Sequence, residues 1–490
     1  MIKNIKLLLL VSLTFIACND DEATVLYDST DGLPLTAGTA DFSKYVALGD
    51  SFAAGFSDRA LFIEGQKGAY PNILAQQFAL VGGGTFTTPL MADNIGGFSL
   101  GGVQIPQFGP RLYFNGVAPV SVSGISGTSI SNKLTGSFNN MGVPGAKSFH
   151  LDFVGYGSSA GNPYFARFAS TPGATVVADA LVQNPTFFSL WIGGNDVLGY
   201  ALTGGDGTDP ITSTAMFTGA YNSLISKMTA GGRKGVIANL PYVTTLPHFK
   251  TVPYNPVPLD AATANQLNSM AAYGAYNAGI TQAFAFLVAN NLISRANADA
   301  EIAKRTITFR AGAGNAVVIR DEYLTNLTNI NPALVSMRQA TAEDLIVLPA
   351  SSFIGTTVGG NPQLINGVSV PLADKWVLSK NEISELKTAT DAYNGIIQAA
   401  ATANNLAFMD AKAVMDALST TGITANNYTL NASFVSGGAF SLDGFHPSPR
   451  GYALLANKFI QAINTKYGSN LNGVNLGNYR ILFPRDAANF

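Results

Sequence analysis

The residue with the clearest chemical potential is Ser51, which lies in Gly49-Asp50-Ser51-Phe52 directly after the apolar segment 44–48. A serine at a turn between a strand and a helix exposes its hydroxyl group, and the N–H groups at the start of the helix favour negative charge. A serine nucleophile requires this arrangement. Taken alone, the motif is more typical of a turn that merely caps a helix.

A serine nucleophile also needs a general base, and the chain offers three histidines. His446 is followed by Pro447, which is tolerated in the first turn of a helix, and Asp443 lies three residues upstream. At that spacing, a carboxylate can accept a hydrogen bond from Nδ1 and leave Nε2 free to take the serine proton. For His150 and His248 we expect surface or capping roles.

Attack by a serine nucleophile on an acyl group further needs hydrogen-bond donors for the oxyanion, and two segments offer them. Gly145 can present its backbone N–H, and Asn195, in Gly193-Gly-Asn-Asp196, can present its side-chain amide. Each residue also has a structural interpretation. Gly145 could serve as a turn glycine, and Asn195 or Asp196 could serve as a helix N-cap.

These residues must be positioned by a sheet, and the sequence predicts one. Apolar segments typical of buried strands cover residues 44–48, 137–143, 186–192, 235–239 and 406–410, and helical patterns cover 68–81, 212–230, 260–290, 380–404 and 448–466. Continuous apolar strands that alternate with helices indicate a parallel sheet covered on both faces. Active sites of such sheets lie beyond the carboxyl ends of the strands, where the polar segments fall.

Four segments resemble, in their order along the chain, the four blocks of the GDSL or SGNH hydrolase family: Gly49-Asp-Ser-Phe52, Asn140-x-Gly142-x-x-Gly145, Gly193-x-Asn195-Asp196 and Asp443-x-x-His446-Pro447. Phe52 stands where the name-giving motif has Leu, and the resemblance leaves out roughly half of the chain. It implies a flavodoxin-like, three-layer α/β fold with a five-stranded parallel sheet. It implies no metal and no organic cofactor.

The resemblance also assigns roles to the residues of these blocks. Ser51 would be the nucleophile, His446 the base and Asp443 the triad acid. The N–H groups of Ser51 and Gly145 and the amide of Asn195 would form the oxyanion hole. Two other segments fit the G-x-S-x-G pattern of α/β-hydrolases, 97–101 and 157–161, but neither follows an apolar strand.

The N-terminal residues 1–18 are predicted to be a lipoprotein signal peptide, with basic residues, a short apolar stretch and Ala17 before Cys18, the only cysteine of the chain. This end resembles the lipobox of bacterial lipoproteins, although Phe15 stands where Leu is usual, and a plain signal peptide is the alternative. Residues 19–43 are expected to be a flexible tether. Residues 44–490 would form the catalytic domain, with insertions at about 82–136 and 291–379.

Composition and the predicted anchor restrict the partners and the location. The net charge is −2 and 12% of residues are charged, which does not favour nucleic acid as a partner. We expect a cell-envelope protein that is held at the outer membrane through its lipid anchor alone. Residues 20–22 are acidic, and in some lipoproteins an acidic cluster directly after the lipidated cysteine accompanies export to the cell surface. The other interpretation is that these residues belong to a solvated tether.

The sequence therefore predicts a serine ester hydrolase of lipase or acylesterase type, acting on a lipid or an acylated glycan. The segment 82–136, with its apolar Phe98, Leu100, Ile105 and Phe108, is expected to form an acyl-binding wall. A carbohydrate O-acetylesterase at the cell surface and a non-catalytic surface binding protein are the alternatives. The acidic loop 206–209 is expected to be a surface turn, because it lacks the spacing of a calcium-binding motif.

Overall fold

The structure is a computed structural model that describes residues 32–486. Its strands are β1 (Tyr45–Gly49), β2 (Ser99–Leu100), β3 (Val103–Gln104), β4 (Leu112–Phe114), β5 (Pro119–Ser121), β6 (Asn140–Gly142), β7 (Phe187–Trp191), β8 (Lys234–Ala238), β9 (Val257–Leu259), β10 (Gly312–Asn315), β11 (Val318–Arg320), β12 (Met337–Gln339), β13 (Leu345–Ile346), β14 (Thr357–Val358), β15 (Asn361–Ile365), β16 (Val377–Leu378), β17 (Ala407–Met409), β18 (Ile423–Ala425) and β19 (Tyr428–Leu430). Its α-helices are α1 (Ser51–Ala54), α2 (Ile63–Lys67), α3 (Tyr70–Ala79), α4 (Pro163–Ala166), α5 (Val176–Leu181), α6 (Asn195–Leu202), α7 (Thr214–Thr229), α8 (Pro247–Lys250), α9 (Ala261–Asn268), α10 (Tyr273–Ala289), α11 (Arg295–Arg305), α12 (Lys380–Ala403), α13 (Ala411–Thr420) and α14 (Pro449–Tyr467).

The predicted five-stranded parallel sheet is present, in the order β6-β1-β7-β8-β17. Among the five strands of this sheet, the first in the chain, β1, lies between the second, β6, and the third, β7, which is the flavodoxin-like order. Every residue of β1 and β7 is buried, as expected of strands covered on both faces. The fold class predicted from the sequence is therefore confirmed.

Two layers of helices cover the sheet. On one face, α3 packs on α14 through stacked rings of Tyr70 and Phe459, whose centroids lie 4.6 Å apart. The other layer contains α5, α7 and α12, with Phe217 stacked on Tyr393 at 4.0 Å. The segment 260–290, predicted as one helix, forms α9 and α10, because Ser269 adopts an extended backbone conformation between them.

The N-terminal tether predicted over residues 19–43 ends earlier than expected. Phe42 is 2% exposed and stacks on Phe78 at 4.0 Å, and the N–H of Thr39 donates to the carbonyl of Tyr467. Phe42 is thus part of the hydrophobic core and does not belong to a flexible tether. The predicted boundary between tether and domain at residue 43 is therefore wrong. The predicted signal peptide and Cys18 lie outside the described residues.

Candidate active site

Ser51 is held at the carboxyl end of β1, where it begins the short helix α1. The side chain of Asp50 caps this helix by accepting a hydrogen bond from the N–H of Phe52 at 2.9 Å. On the adjacent strand β6, a Cβ atom at Gly142 would lie 2.3 Å from the backbone nitrogen of Ala54. Only glycine at this position lets α1 pack directly on the end of β6.

The structure brings Ser51, His446 and Asp443 into one hydrogen-bonded chain. The Oγ of Ser51 lies 2.8 Å from Nε2 of His446, and Nδ1 of His446 lies 2.9 Å from Oδ2 of Asp443. The rings of Phe56 and Phe52 lie against the imidazole, with centroids 4.7 and 5.6 Å away. Ser51, His446 and Asp443 are all buried, so little water reaches the hydrogen bonds between them.

Asp443 is also fixed by hydrogen bonds that do not involve the imidazole. Its Oδ1 accepts from the hydroxyl of Ser441 at 3.0 Å and from the N–H groups of Phe445 and His446 at 3.0 and 2.9 Å. Its Oδ2 accepts from the N–H of Arg59 at 2.9 Å. Burial raises the pKa of Asp443, but the adjacent imidazole and these hydrogen bonds outweigh burial and lower the pKa to about 2. The group therefore remains a carboxylate at neutral pH.

Gly145 and Asn195 lie at the same edge of the sheet. Asn195 is the first residue of α6, and its Nδ2 donates to the carbonyl of Ala146 at 3.0 Å. Gly145, the residue before Ala146, is exposed and has a φ of +79°. The buried carboxylate of Asp196 joins the same two loops by accepting from the N–H and the hydroxyl of Ser148 at 2.7 and 2.8 Å.

The other two histidines have different surroundings. His150 accepts from the N–H of Lys147 at 3.1 Å, which is a capping role as predicted. The expected surface or capping role is wrong for His248, which is buried. Its Nδ1 lies 3.3 Å from the carbonyl oxygen of Asp443, and its N–H donates to the carbonyl of Gly444 at 2.9 Å. His248 therefore supports the loop that carries Asp443.

An apolar pocket opens beside Ser51, and the centre of a water molecule has about 70 Å³ of room within it. Asp50, Ser51 and Asn195 supply polar groups to its lining. Most of the remaining lining comes from the loop after β8, from α13, from the loop before α14 and from α14 itself, and includes Leu240, Val243, Leu246, Val414, Met415, Leu418, Phe440, Phe445, Leu454 and Leu455.

The segment 82–136, expected to form the acyl-binding wall, does not line this pocket. Phe98 is fully buried and packs against Tyr164 and Phe108 in a small cluster of its own, whereas Leu100 is 57% exposed. Phe56 joins this cluster to the site, because its ring also lies against the imidazole of His446. The apolar cluster of this segment thus packs, through Phe56, against the imidazole of His446.

Two contributors to the site have no signature in the sequence. The N–H of Arg59 donates to Asp443, and the side chain of Asp58 accepts from the N–H of Leu442 at 2.9 Å. Both residues have a positive φ, +50° for Asp58 and +69° for Arg59, which turns this loop toward the loop that carries Asp443. Because a backbone N–H is present in every residue except proline, no residue type marks such a donor.

A flavodoxin-like sheet with a serine, a histidine and an aspartate hydrogen-bonded in series at its carboxyl edge is an arrangement used by serine hydrolases. A comparison with protein-family models matches residues 45–288 and 315–459 to the GDSL-like lipase/acylhydrolase family. The match covers more than half of the chain, so the chain belongs to this family and is a hydrolase that acts on ester bonds. Neither the curated proteins nor the solved structures gave a match.

Proposed function

We propose that the protein cleaves carboxylic esters through an acyl-enzyme formed on Ser51. Nε2 of His446 takes the hydroxyl proton as Oγ attacks the acyl carbonyl, and Asp443 holds the imidazole in the required tautomer. His446 then protonates the departing alcohol and later activates the water that releases the acid. The 2.8 Å contact between Oγ and Nε2, continued to Asp443 at 2.9 Å, is the observation that carries this proposal.

The oxyanion would be held by the N–H groups of Ser51 and Gly145 and by the amide of Asn195. An amide NH₂ group has two N–H donors. In Asn195, one of these N–H groups donates to the carbonyl of Ala146, and this hydrogen bond fixes the side chain. The second N–H group is then free to donate to the oxyanion. Loss of a single oxyanion donor costs about 10²–10³-fold in kcat in other hydrolases, so we expect a loss of that order for Asn195→Ala.

The substrate would carry an apolar acyl chain, and the pocket beside Ser51 supports this part of the proposal. Acetate would leave most of the apolar lining exposed to water, whereas a longer chain would bury it and gain about 0.8 kcal/mol for each CH₂ group. Val414 and Leu418 line the pocket from one face of α13. We therefore expect their side chains to limit how far an acyl chain can extend.

A chain-length profile tests this proposal. The purified protein is assayed with p-nitrophenyl esters from acetate to palmitate and with acetylated xylan. We expect the highest kcat/KM on an ester longer than acetate, with Val414→Phe shifting the optimum to shorter chains and Leu418→Ala to longer ones. Val182→Phe, at an exposed position, is the control for the first substitution.

Two outcomes would contradict the acyl-chain proposal. If acetate and acetylated xylan are the best substrates and Val414→Phe has no effect, the protein is a carbohydrate O-acetylesterase. If no ester is cleaved, it is a non-catalytic binding protein on a hydrolase scaffold. Because the two pocket variants are expected to shift the profile in opposite directions, a general loss of folding cannot imitate the expected result.

We also propose that the mature protein is a lipoprotein of the outer membrane, lipid-modified on Cys18 and in contact with the membrane through that anchor alone. The support is the basic and apolar leader that ends at Ala17 and Cys18. Within residues 32–486, no helix is both long and apolar enough to cross a bilayer. A lipid anchor would hold the catalytic residues close to ester substrates at the cell envelope.

A further inference from the structure

Three carboxylates outside the active site converge where the segment 291–379 meets helix α12. Glu322 follows β11, Asp374 precedes β16, and Glu382 lies in the first turn of α12. One oxygen from each carboxylate lies within 4.8 Å of the oxygens from the other two. Among residues 32–486, no lysine, arginine or histidine forms an ion pair with any of the three. Like charges at this distance repel one another, and either a shared proton or a cation between them relieves the repulsion.

Glu382 is the buried member of the cluster, and only one of its carboxylate oxygens has a hydrogen-bond partner. It has no exposed surface, and its Oε2 accepts from the N–H of Ser379 at 2.5 Å as part of a capping box. Its Oε1 is buried and has no hydrogen-bond partner. The capping box therefore accounts for one oxygen only, and a buried carboxylate oxygen without a partner is costly.

The loop after α6 closes over this group. A Cβ atom at Gly205 would lie 2.7 Å from Oε1 of Glu382, so the oxygen faces this loop and only glycine leaves room for it. The acidic side chain of the loop, Asp206, is exposed and accepts from the N–H and hydroxyl of Thr208 at 2.9 and 2.6 Å. It forms the surface turn predicted from the sequence.

Two basic side chains of the segment 291–379 are engaged elsewhere. Arg338 is paired with Asp321 at 2.6 Å and with Asp344 at 2.7 Å. Lys375 places its ammonium group over the ring of Trp376, 5.2 Å from the centroid. Within the part of the chain that the structure describes, the three carboxyl groups therefore form no ion pair with a basic side chain.

We propose that Glu322, Asp374 and Glu382 bind one calcium ion. Calcium takes oxygen ligands at about 2.3–2.6 Å, so two ligands on opposite sides of the ion lie at most about 5 Å apart. Three oxygens within 4.8 Å of one another therefore fit around a single ion. The exposed side of Glu322 leaves room for water to complete the coordination.

The ion would hold three parts of the chain together. Glu322 and Asp374 belong to the segment 291–379, Glu382 belongs to α12, and the covering loop continues from α6. A second contact joins the same parts, because Glu385 accepts from the hydroxyl groups of Tyr200 in α6 and Tyr323, each at 2.8 Å. The site would thus stabilise the segment against the helix that begins with Asn195, independently of the ester chemistry proposed above.

Terbium luminescence and thermal unfolding test the site in the full-length protein. Trp376 lies two residues from Asp374 and can sensitise a bound terbium ion. We expect saturable emission that Ca²⁺ displaces and Mg²⁺ displaces poorly. At a Ca²⁺ concentration of about a hundred times Kd, Tm should rise by about 2–3 °C for a chain of this length.

Two variants locate the binding. Glu382→Gln preserves the capping box and Glu322→Gln changes an exposed residue, so both are expected to fold, and each should weaken terbium binding at least tenfold. Glu343→Gln, at an exposed residue paired with Lys380, is the matched control and should bind as the wild type does. The proposal is overturned if the wild-type protein binds no terbium and gains no stability from Ca²⁺, or if both variants bind normally. An increase in stability of the two variants without any metal response would instead assign the cluster to carboxyl groups that share a proton.

Discussion

Asp443 is the most informative residue to perturb, because asparagine keeps its size but removes the negative charge and replaces one acceptor oxygen with an NH₂ donor. Three donors point at Oδ1, from Ser441, Phe445 and His446, and two point at Oδ2, from the N–H of Arg59 and from Nδ1 of His446. The amide oxygen of an asparagine should therefore occupy the Oδ1 position. Its NH₂ group would then donate to Nδ1, which leaves the proton on Nε2, and the imidazole could no longer accept the serine proton.

We expect Asp443→Asn to lower kcat/KM by about 10⁴-fold, or about 5 kcal/mol of transition-state stabilisation, as expected when the imidazole has the wrong tautomer. KM should change little if the aspartate does not touch the substrate. The assay is p-nitrophenyl ester hydrolysis, with circular dichroism to verify folding. The control is Asp179→Asn, because Asp179 also accepts from an N–H and a hydroxyl group, both from Ser170. A value within tenfold of the wild type for Asp443→Asn would refute the assigned role.

The same substitution has a predicted effect on stability at low pH. The pKa of Asp443 is about 2 in the folded protein, below its ordinary value of 3.8. A lowered carboxyl pKa contributes stability that is present above the unfolded-state value and is lost as the pH falls through the folded-state value. The contribution is about 2 kcal/mol. Urea unfolding measures the free energy of unfolding of both proteins. The difference between the wild type and Asp443→Asn should shrink by about 2 kcal/mol between about pH 5 and pH 2. A difference that stays constant over this range would contradict the lowered pKa of Asp443.

Three further outcomes are expected. Ser51→Ala should abolish ester hydrolysis without changing the circular dichroism spectrum, and retention of a tenth of the activity would exclude Ser51 as the nucleophile. Mass spectrometry of the mature N-terminus should find lipid on Cys18, whereas an unmodified chain that starts elsewhere would indicate a freely secreted protein. kcat/KM should fall in acid, because a protonated His446 cannot accept the serine proton. His446→Ala should remove this dependence with most of the rate, and His150→Ala should leave both nearly unchanged; an equal loss from His150→Ala would mean that the wrong base has been assigned.

Sequence patterns predicted the sheet and the positions of the polar segments at its edge. Strands that are buried on both faces are largely apolar, so β1 and β7 appear as nearly continuous apolar runs that end at Gly49 and Trp191. The residues after those runs, Ser51 and Asn195, then lie at the carboxyl edge because all five strands are parallel. These features depend on local chain properties, which the sequence displays directly.

Tertiary structure decided the features that depend on contacts between distant parts of the chain. The N–H of Arg59 donates to Asp443, which lies 384 residues further along the chain. Because nearly every residue has a backbone N–H, the residue type at position 59 does not indicate this contact. The pocket wall was predicted in the wrong segment, because Phe98 has enough apolar neighbours to be buried elsewhere while α13 and α14 face Ser51. Likewise, Glu322 and Glu382 are separated by 60 residues and meet only because the segment between them folds back onto α12. Composition records which side chains are available, whereas packing determines which of them meet.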